Sequence, residues 1–467
     1  MTNHTKMETI LHKSYYTIPV KLQAEDNKYL LVHGYTGAID IVDGSIVDAM
    51  NAENVATILS EDEISLLSKR GYLTDKTIEE EQKYVVYLAD VLHRMLAKLH
   101  KSFGFVITYN CNFRCPYCFE NIISKNGEAW TKHTMTKELI DKAYDAMLKI
   151  EPHNELHKKE ILLYGGEPLL RENREIVEYI IRKGIALGYK FKAITNGYDI
   201  DYYKDLITPD IFTSLQISID GFRDNHNRNK RHYIEGDSFD KVIQNIGIVI
   251  NNCVKAIIRL NLDKNTISDG NRLMQLFSDL GYSKSSYFAP YSAMIENYDQ
   301  TTSTSNNTFN YMEFLNQTKK GFCFENPAIN KLNNAFKTYF KNKKPYKLTP
   351  ISCNSQFGSF LFDPHGDIFS CLEIVGRKEH SIGNYTQKEI EWHASKNKWF
   401  SHNITKSSKC VNCKYALLCG GKCAIKEFNK LNSPNNDCNS FPFLLNQAVN
   451  LSYNKYNQFI KIDNYEE

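Results

Sequence analysis

The chain has 467 residues, 42% hydrophobic and 24% charged, which excludes a disordered or collagen-like polymer and allows about three globular domains. With 57 Lys and Arg against 54 Asp and Glu, the net charge of +3 gives no signal for or against a polyanionic partner. The N-terminus Met1-Thr-Asn-His-Thr-Lys-Met-Glu8 has no apolar stretch with a cleavage site, and no apolar run is long enough to span a bilayer, so a cytoplasmic protein is expected.

Residues 1–95 read as a small separate unit. Tyr15–Lys21, Lys28–His33 and Ala38–Val42 are strand patterns, and the glycines of Gly34-Tyr-Thr-Gly-Ala38 suit a tight reversal. A helix over Gly44–Met50 follows. Another starts at the capping box Ser60-Glu-Asp-Glu63 and stops near Gly71.

From about residue 100, strand and helix patterns alternate. Strands fall at Phe103–Tyr109, Glu160–Tyr164, Phe191–Thr195, Ser214–Ile219, Ala256–Asn261 and, more weakly, Ser286–Pro290. Helices are expected over Thr136–Ile150, Glu172–Leu187, Asp201–Ile207, Ser238–Asn251 and Ser268–Leu280. The alternation implies parallel strands with right-handed crossovers, and about six such units make a partial barrel over 96–292. Residues 293–350 form a bridging region with a loop at Thr301–Thr308 and a solvated basic run at Lys341–Lys347. Residues 351–467 are cysteine-rich, with helical periodicity over Leu444–Ile462, and read as a separate domain.

Twelve cysteines in a reducing compartment point to metal ligands rather than disulfides. Three lie in Tyr109-Asn-Cys-Asn-Phe-Arg-Cys-Pro-Tyr-Cys-Phe119 and seven between 353 and 438, leaving Cys253, read as a core residue, and Cys323 apart. Cys111, Cys115 and Cys118 can hold three irons of a [4Fe–4S] cluster and leave the fourth open to a small molecule. A structural zinc loop is the competing reading, but zinc usually takes four ligands in CxxC-type pairs. Polar motifs end the strands that follow: Tyr164-Gly-Gly-Glu-Pro168, Thr195-Asn-Gly197, Ser218-Ile-Asp-Gly221 and Asn261-Leu-Asp263. In a parallel barrel these carboxyl ends converge on the active site.

The set CxxxCxxC, GGEP and SIDG over roughly residues 100–290 resembles the radical S-adenosylmethionine (SAM) superfamily. The resemblance implies that the open iron chelates the amino and carboxylate groups of SAM, and that the released 5′-deoxyadenosyl radical abstracts hydrogen. It places Gly165 and Gly166 close to the methionyl ammonium, with Glu167 accepting from it. Asn196 and Ser218 fall at the ribose or carboxylate, and Tyr117 beside the adenine. Arg231, or its neighbour Lys230, supplies a cation for the carboxylate.

The downstream cysteines resemble the SPASM extension of the same superfamily. That resemblance puts Cys410, Cys413, Cys419 and Cys438 on one auxiliary cluster and Cys353, Cys371 and Cys423 on another, with Cys323 or an open iron completing the second. The N-terminal unit resembles the winged-helix peptide-recognition element of ribosomal-peptide maturases. The fold class expected is therefore α/β: a partial (β/α)6 TIM-type radical SAM barrel with an N-terminal winged-helix-like domain and a C-terminal cysteine-rich SPASM domain.

The function these resemblances imply is maturation of a ribosomally made precursor peptide, for example by a thioether crosslink. The partners are a leader-bearing peptide and an electron donor such as flavodoxin or ferredoxin, with no nucleic acid and no membrane. An anaerobic sulfatase-maturating enzyme is the alternative, against which stands Leu372, where that group carries an acidic residue. A non-catalytic iron–sulfur peptide carrier is the alternative from another class.

Overall fold

A computed structural model describes residues 11–295, 309, 311–319, 327–421, 423–428, 438 and 440–463. The described residues fall into two compact units. One draws on Met1–Lys98, Pro327–Cys353 and His402–Glu467, the other on Leu99–Asn326 and Asn354–Ser401.

In the first unit, β1 (Thr17–Lys21), β2 (Lys28–His33) and β3 (Ile39–Asp43) form an antiparallel sheet in that order. Gly37 turns the chain between β2 and β3 at φ 71°, and a Cβ there would lie 2.4 Å from the Tyr346 carbonyl oxygen. Helix α1 (Gly44–Met50) follows, then α2 (Glu61–Arg70). The expected capping box opens α2: Ser60 N–H donates to the Glu63 carboxylate at 2.8 Å, and Gly71 closes the helix at φ 91°. Leu31, Val47, Met50, Leu67 and Tyr72 pack into a core of their own.

Helix α3 (Ile78–Ala97) was not legible in the sequence. It opens on Glu79, Glu80 and Glu81, and its buried Val85 and Ala89 pack with Tyr16, Ile404, Cys410, Ala416 and Leu417. Most of the partners for its apolar stripe lie far along the chain. The helix Ser440–Asp463 contributes Tyr453 and Tyr456, whose rings meet Phe340 on the helix Pro327–Asn342.

The second unit alternates as expected. In chain order come β4 (Ser102–Val106), α4 (Lys137–Ile150), β5 (Glu160–Tyr164), α5 (Arg174–Ala186), β6 (Lys190–Thr195) and β7 (Phe212–Ile219). Then follow the short α6 (Arg223–Asn229), α7 (Phe239–Asn251), β8 (Lys255–Leu262), α8 (Asp269–Asp279) and β9 (Phe288–Met294). Strands β4 to β9 are parallel, each beside its predecessor. Leu215, Ile217 and Ile219 of β7 are fully buried, while Gln216 and Ser218 on its other face are half-buried. That alternation separates a dry face from a polar, partly open barrel interior.

Four short strands extend the same sheet: β10 (Ser359–Phe362), β11 (Asp367–Phe369), β12 (Gly383–Asn384) and β13 (Glu391–Trp392). Strand β10 pairs in parallel with β4, Ser359 opposite Ser102, and Phe103 stacks on Phe360 and Phe362. The cysteine-rich segment is thus divided. Its part Asn354–Ser401 joins the barrel sheet because the β4 edge offers it a ladder, and the remainder belongs to the first unit. No helix among the described residues is long and apolar enough to cross a membrane.

Candidate functional site

The three clustered cysteines leave the carboxyl end of β4 in a loop that the next strand holds in place. Ile107 N–H donates to the Tyr164 carbonyl at 2.9 Å, Gly166 N–H to Thr108 at 2.9 Å, and Glu167 N–H to Asn110 at 2.8 Å. A Cβ on Gly165, which sits at φ 145°, would lie 2.2 Å from the Thr108 oxygen; one on Gly166 would lie 2.4 Å from the Asn110 oxygen. The side of the glycine pair that a side chain would fill is therefore taken by the cysteine loop's own backbone. That closeness stitches β5 to the loop.

Glu167 is 1% exposed and already well supplied with donors. Its carboxylate accepts from Thr195 Oγ1 at 2.7 Å, Leu169 N–H at 2.9 Å and Asn196 N–H at 2.6 Å. Burial pushes its carboxyl up to about 7, with these three donors opposing the shift. Asn196 Nδ2 donates to Asn112 Oδ1 at 2.7 Å and approaches Cys111 Sγ at 3.8 Å, so the β6 terminus orients the cysteine loop.

Strands β7 and β8 add a second polar group. Tyr117, between Cys115 and Cys118, donates its hydroxyl to Asp220 Oδ2, and Asn261 Nδ2 donates to Asp220 Oδ1 at 3.0 Å. Of the two candidate cations, Lys230 is buried and Arg231 is exposed. Burial pulls the Lys230 ammonium down, but Cys115, Asp220, Cys111 and Cys118 outweigh it and leave it raised. The short α6 ends at Asn229 and delivers Lys230 inward; the exposed Arg231 contributes its carbonyl to Arg114 N–H at 3.3 Å. Ser218 stands half-buried on the interior face of β7.

Burial pushes the Cys111, Cys115 and Cys118 thiols up, Cys118 to about 12, and Cys111 feels both of the others. Soft thiols held together in this way ionise against a strong cationic partner, and iron is one they suit. Among the described residues no three His, Cys, Asp or Glu side chains converge to hold a single metal ion. A cubane spreads its ligands over separate corners, so the donor set suits a cluster. In the first unit, Cys419 lies within electrostatic reach of Cys410, Cys413 and Cys438.

Cys353 and Cys423 also belong to the first unit, and Cys371 to the second. Cys323 lies outside the described residues. Cys253 is exposed, at φ 59°, and not the core residue expected: it sits in the tight turn from α7 to β8.

Two charged interior residues escaped the sequence reading. Glu120 Oε1 is buried without a hydrogen-bond partner among the described residues, and burial pushes its carboxyl up to about 8. Arg259 Nε is likewise buried and unpartnered, on β8 in register between Ser218 and Tyr291. The signal for Arg259 was present, a lone charge inside the apolar run Ala256-Ile-Ile-Arg-Leu-Asn261. Below the cysteine loop, Tyr109 donates to Asp363 Oδ2 at 3.0 Å, while Asp363 Oδ1 accepts from His365 N–H at 3.0 Å and Asp367 N–H at 2.7 Å.

Residues 105–276 match the family model described as the Radical SAM superfamily. The chain is 23% identical over 448 residues to the radical SAM cyclopropyl synthase TigE of Paramaledivibacter caminithermalis, covering 86% of this chain and 87% of that protein. It is 26% identical over 357 residues to a cysteine-type anaerobic sulfatase-maturating enzyme of Clostridium novyi, covering 71% of this chain and 90% of that one. Among solved structures, native anSMEcpe with bound AdoMet and Cp18Cys peptide superposes with a TM-score of 0.54 at 18% identity, covering 77% of this chain and 99% of that chain.

Proposed function

We propose that this chain, whose residues 105–276 form a radical SAM domain, modifies a ribosomally made precursor peptide by hydrogen abstraction, forming a crosslink such as a thioether. The family uses SAM and a [4Fe–4S] cluster; when bound, they supply the electron and the 5′-deoxyadenosyl radical that abstracts hydrogen. The observation that carries the reading is the convergence of three half-buried cysteines with the buried Lys230 and Asp220 at the carboxyl ends of parallel strands.

In this reading Cys111, Cys115 and Cys118 hold the cluster, and Lys230 takes the place considered for Arg231 at the SAM carboxylate. Glu167 and Asn196 fix the loop that carries the ligands, and Tyr117 is held by Asp220 at the adenine side. Cys410, Cys413, Cys419 and Cys438 hold an auxiliary cluster. An electron donor of the flavodoxin or ferredoxin type serves the first.

The leader peptide is proposed to add as a strand beside β3. Residues 38, 40 and 42 ladder with β2, so the N–H and C=O of Ile41 point to the side with no strand partner, where the Ile39 carbonyl accepts from Arg70 at 3.0 Å. Ile41 also exposes 38% of its surface there.

The test is anaerobic reconstitution followed by measurement of 5′-deoxyadenosine. Replacing Cys111, Cys115 and Cys118 by Ala should abolish SAM cleavage and remove only part of the iron. Cleavage surviving the triple change would refute the ligand assignment, and no cleavage by the unaltered protein would favour a carrier.

A further inference from the structure

Tyr16 is fully buried, and its hydroxyl has no hydrogen-bond partner among the described residues. Its neighbours are satisfied without it. The Glu81 carboxylate accepts from Ser14 Oγ at 2.5 Å, Tyr35 Oη at 3.0 Å and Tyr15 N–H at 3.0 Å. The Tyr16 ring is held edge-on by Tyr15 and Tyr35, with centroids 5.3 and 5.2 Å away. A phenylalanine would fill this space without the desolvation cost of an unused hydroxyl. A tyrosine here calls for an acceptor.

The surroundings supply one. Tyr16 shares its core with Cys410, and Cys413 packs against that core. The loop between these cysteines and the Tyr16 segment is tied in directly. Tyr15 Oη donates to the Asn412 carbonyl at 3.0 Å. A Cβ on Gly34 would lie 2.3 Å from the Lys414 oxygen and 2.9 Å from the Tyr16 ring. A protonated thiol accepts weakly, whereas a thiolate bound to iron accepts well.

We propose that the Tyr16 hydroxyl donates a hydrogen bond to the Cys413 sulfur when Cys410, Cys413, Cys419 and Cys438 hold their cluster, and thereby raises that cluster's reduction potential. The inference rests on the four-cysteine assignment made above. A tyrosine hydroxyl is a donor at neutral pH. Hydrogen bonds to cluster sulfurs stabilise the reduced, more negative state. Tyr16 is a tuning residue and touches no reacting atom.

The experiment uses the full chain with Cys111, Cys115 and Cys118 changed to Ala, reconstituted with iron and sulfide and titrated by electron paramagnetic resonance. The signal lost on adding Cys413→Ala identifies the cluster; if none is lost, the four-cysteine assignment fails, independently of Tyr16. Adding Tyr16→Phe instead should leave the iron content unchanged and move that signal's midpoint to more negative potential. An unmoved or more positive midpoint with the signal present overturns the proposal. Tyr15→Phe, which removes the exposed hydroxyl bonded to Asn412, should leave the midpoint in place. Should Tyr16→Phe fail to take up iron, a fluorinated tyrosine in place of Tyr16 keeps the ring and strengthens the donor. The midpoint must then move positive, and a midpoint that stays overturns the proposal.

Discussion

Gly166→Ala isolates the contact that fixes the cysteine loop. A methyl group there would sit 2.4 Å from the Asn110 oxygen, 2.5 Å from the Tyr109 oxygen and 2.7 Å from the Tyr109 carbonyl carbon. All three are backbone atoms, so no side chain can swing aside, and the loop must retreat by nearly an ångström to reach ordinary contact. Overpacking of this kind costs about 1–3 kcal/mol. The retreat also stretches Gly166 N–H to Thr108 and Glu167 N–H to Asn110, each worth about 0.5–1.5 kcal/mol. The sum is roughly 2–6 kcal/mol, and Cys111 follows Asn110 directly, so its sulfur moves with the loop. Urea denaturation of the iron-free protein measures the first effect, and iron bound after reconstitution measures the second. Both should fall. Gly188→Ala is the control: nothing lies within 4 Å of its Cβ position, and its φ of 79° alone is strained. It should cost about 1–2 kcal/mol and leave iron binding intact. A Gly166→Ala protein with normal stability and full iron would refute the stitching role.

Glu167→Gln places an amide NH2 against one or two of the three donors that now meet the carboxylate, and should cost about 1–3 kcal/mol, read as a lower urea midpoint. Lys230→Met should weaken SAM binding in calorimetry of the reconstituted protein, whereas Arg231→Met should match wild type; the reverse order would restore Arg231 as the cation. Asp363 carries a folded-state pKa raised to about 7 by burial and by Asp367. The native state therefore keeps a proton that the unfolded chain releases. Stability should decline as pH rises from about 4 to 7 and level off above, by at most about 4 kcal/mol. Asp363→Asn should make that slope shallower, the raised Glu167 and Glu120 carboxyls keeping the remainder, and an unchanged slope would assign it elsewhere. Ile41→Pro removes an outward N–H without touching the β2–β3 ladder. It should weaken binding of a leader peptide encoded beside the gene while leaving SAM cleavage intact. Deleting residues 1–90 is a poorer test, because Tyr16, Val85 and Ala89 share a core with Cys410.

The parallel strands and the cysteine loop were legible in the chain because their signals are local. Glu160–Tyr164 alternates with nearby helices at short spacing, Ser60 and Glu63 cap a turn they share, and CxxxCxxC lies within eight residues of sequence. The glycine pair and Glu167 were found, yet their contact with the backbone of Thr108–Asn110 was not. Proximity across parallel strands depends on register, and register leaves no mark at either strand alone. That Lys230 is buried and Arg231 exposed turned on which side chain the short α6 delivers inward, and adjacent residues of like charge look alike in sequence. Helix α3 and the joining of β10 to β4 were settled by apolar surfaces from distant segments. Sequence alone therefore determined which chemistry-bearing motifs the chain carries. Only the fold decided which donors meet, because burial and long-range pairing select among residues that composition leaves equivalent.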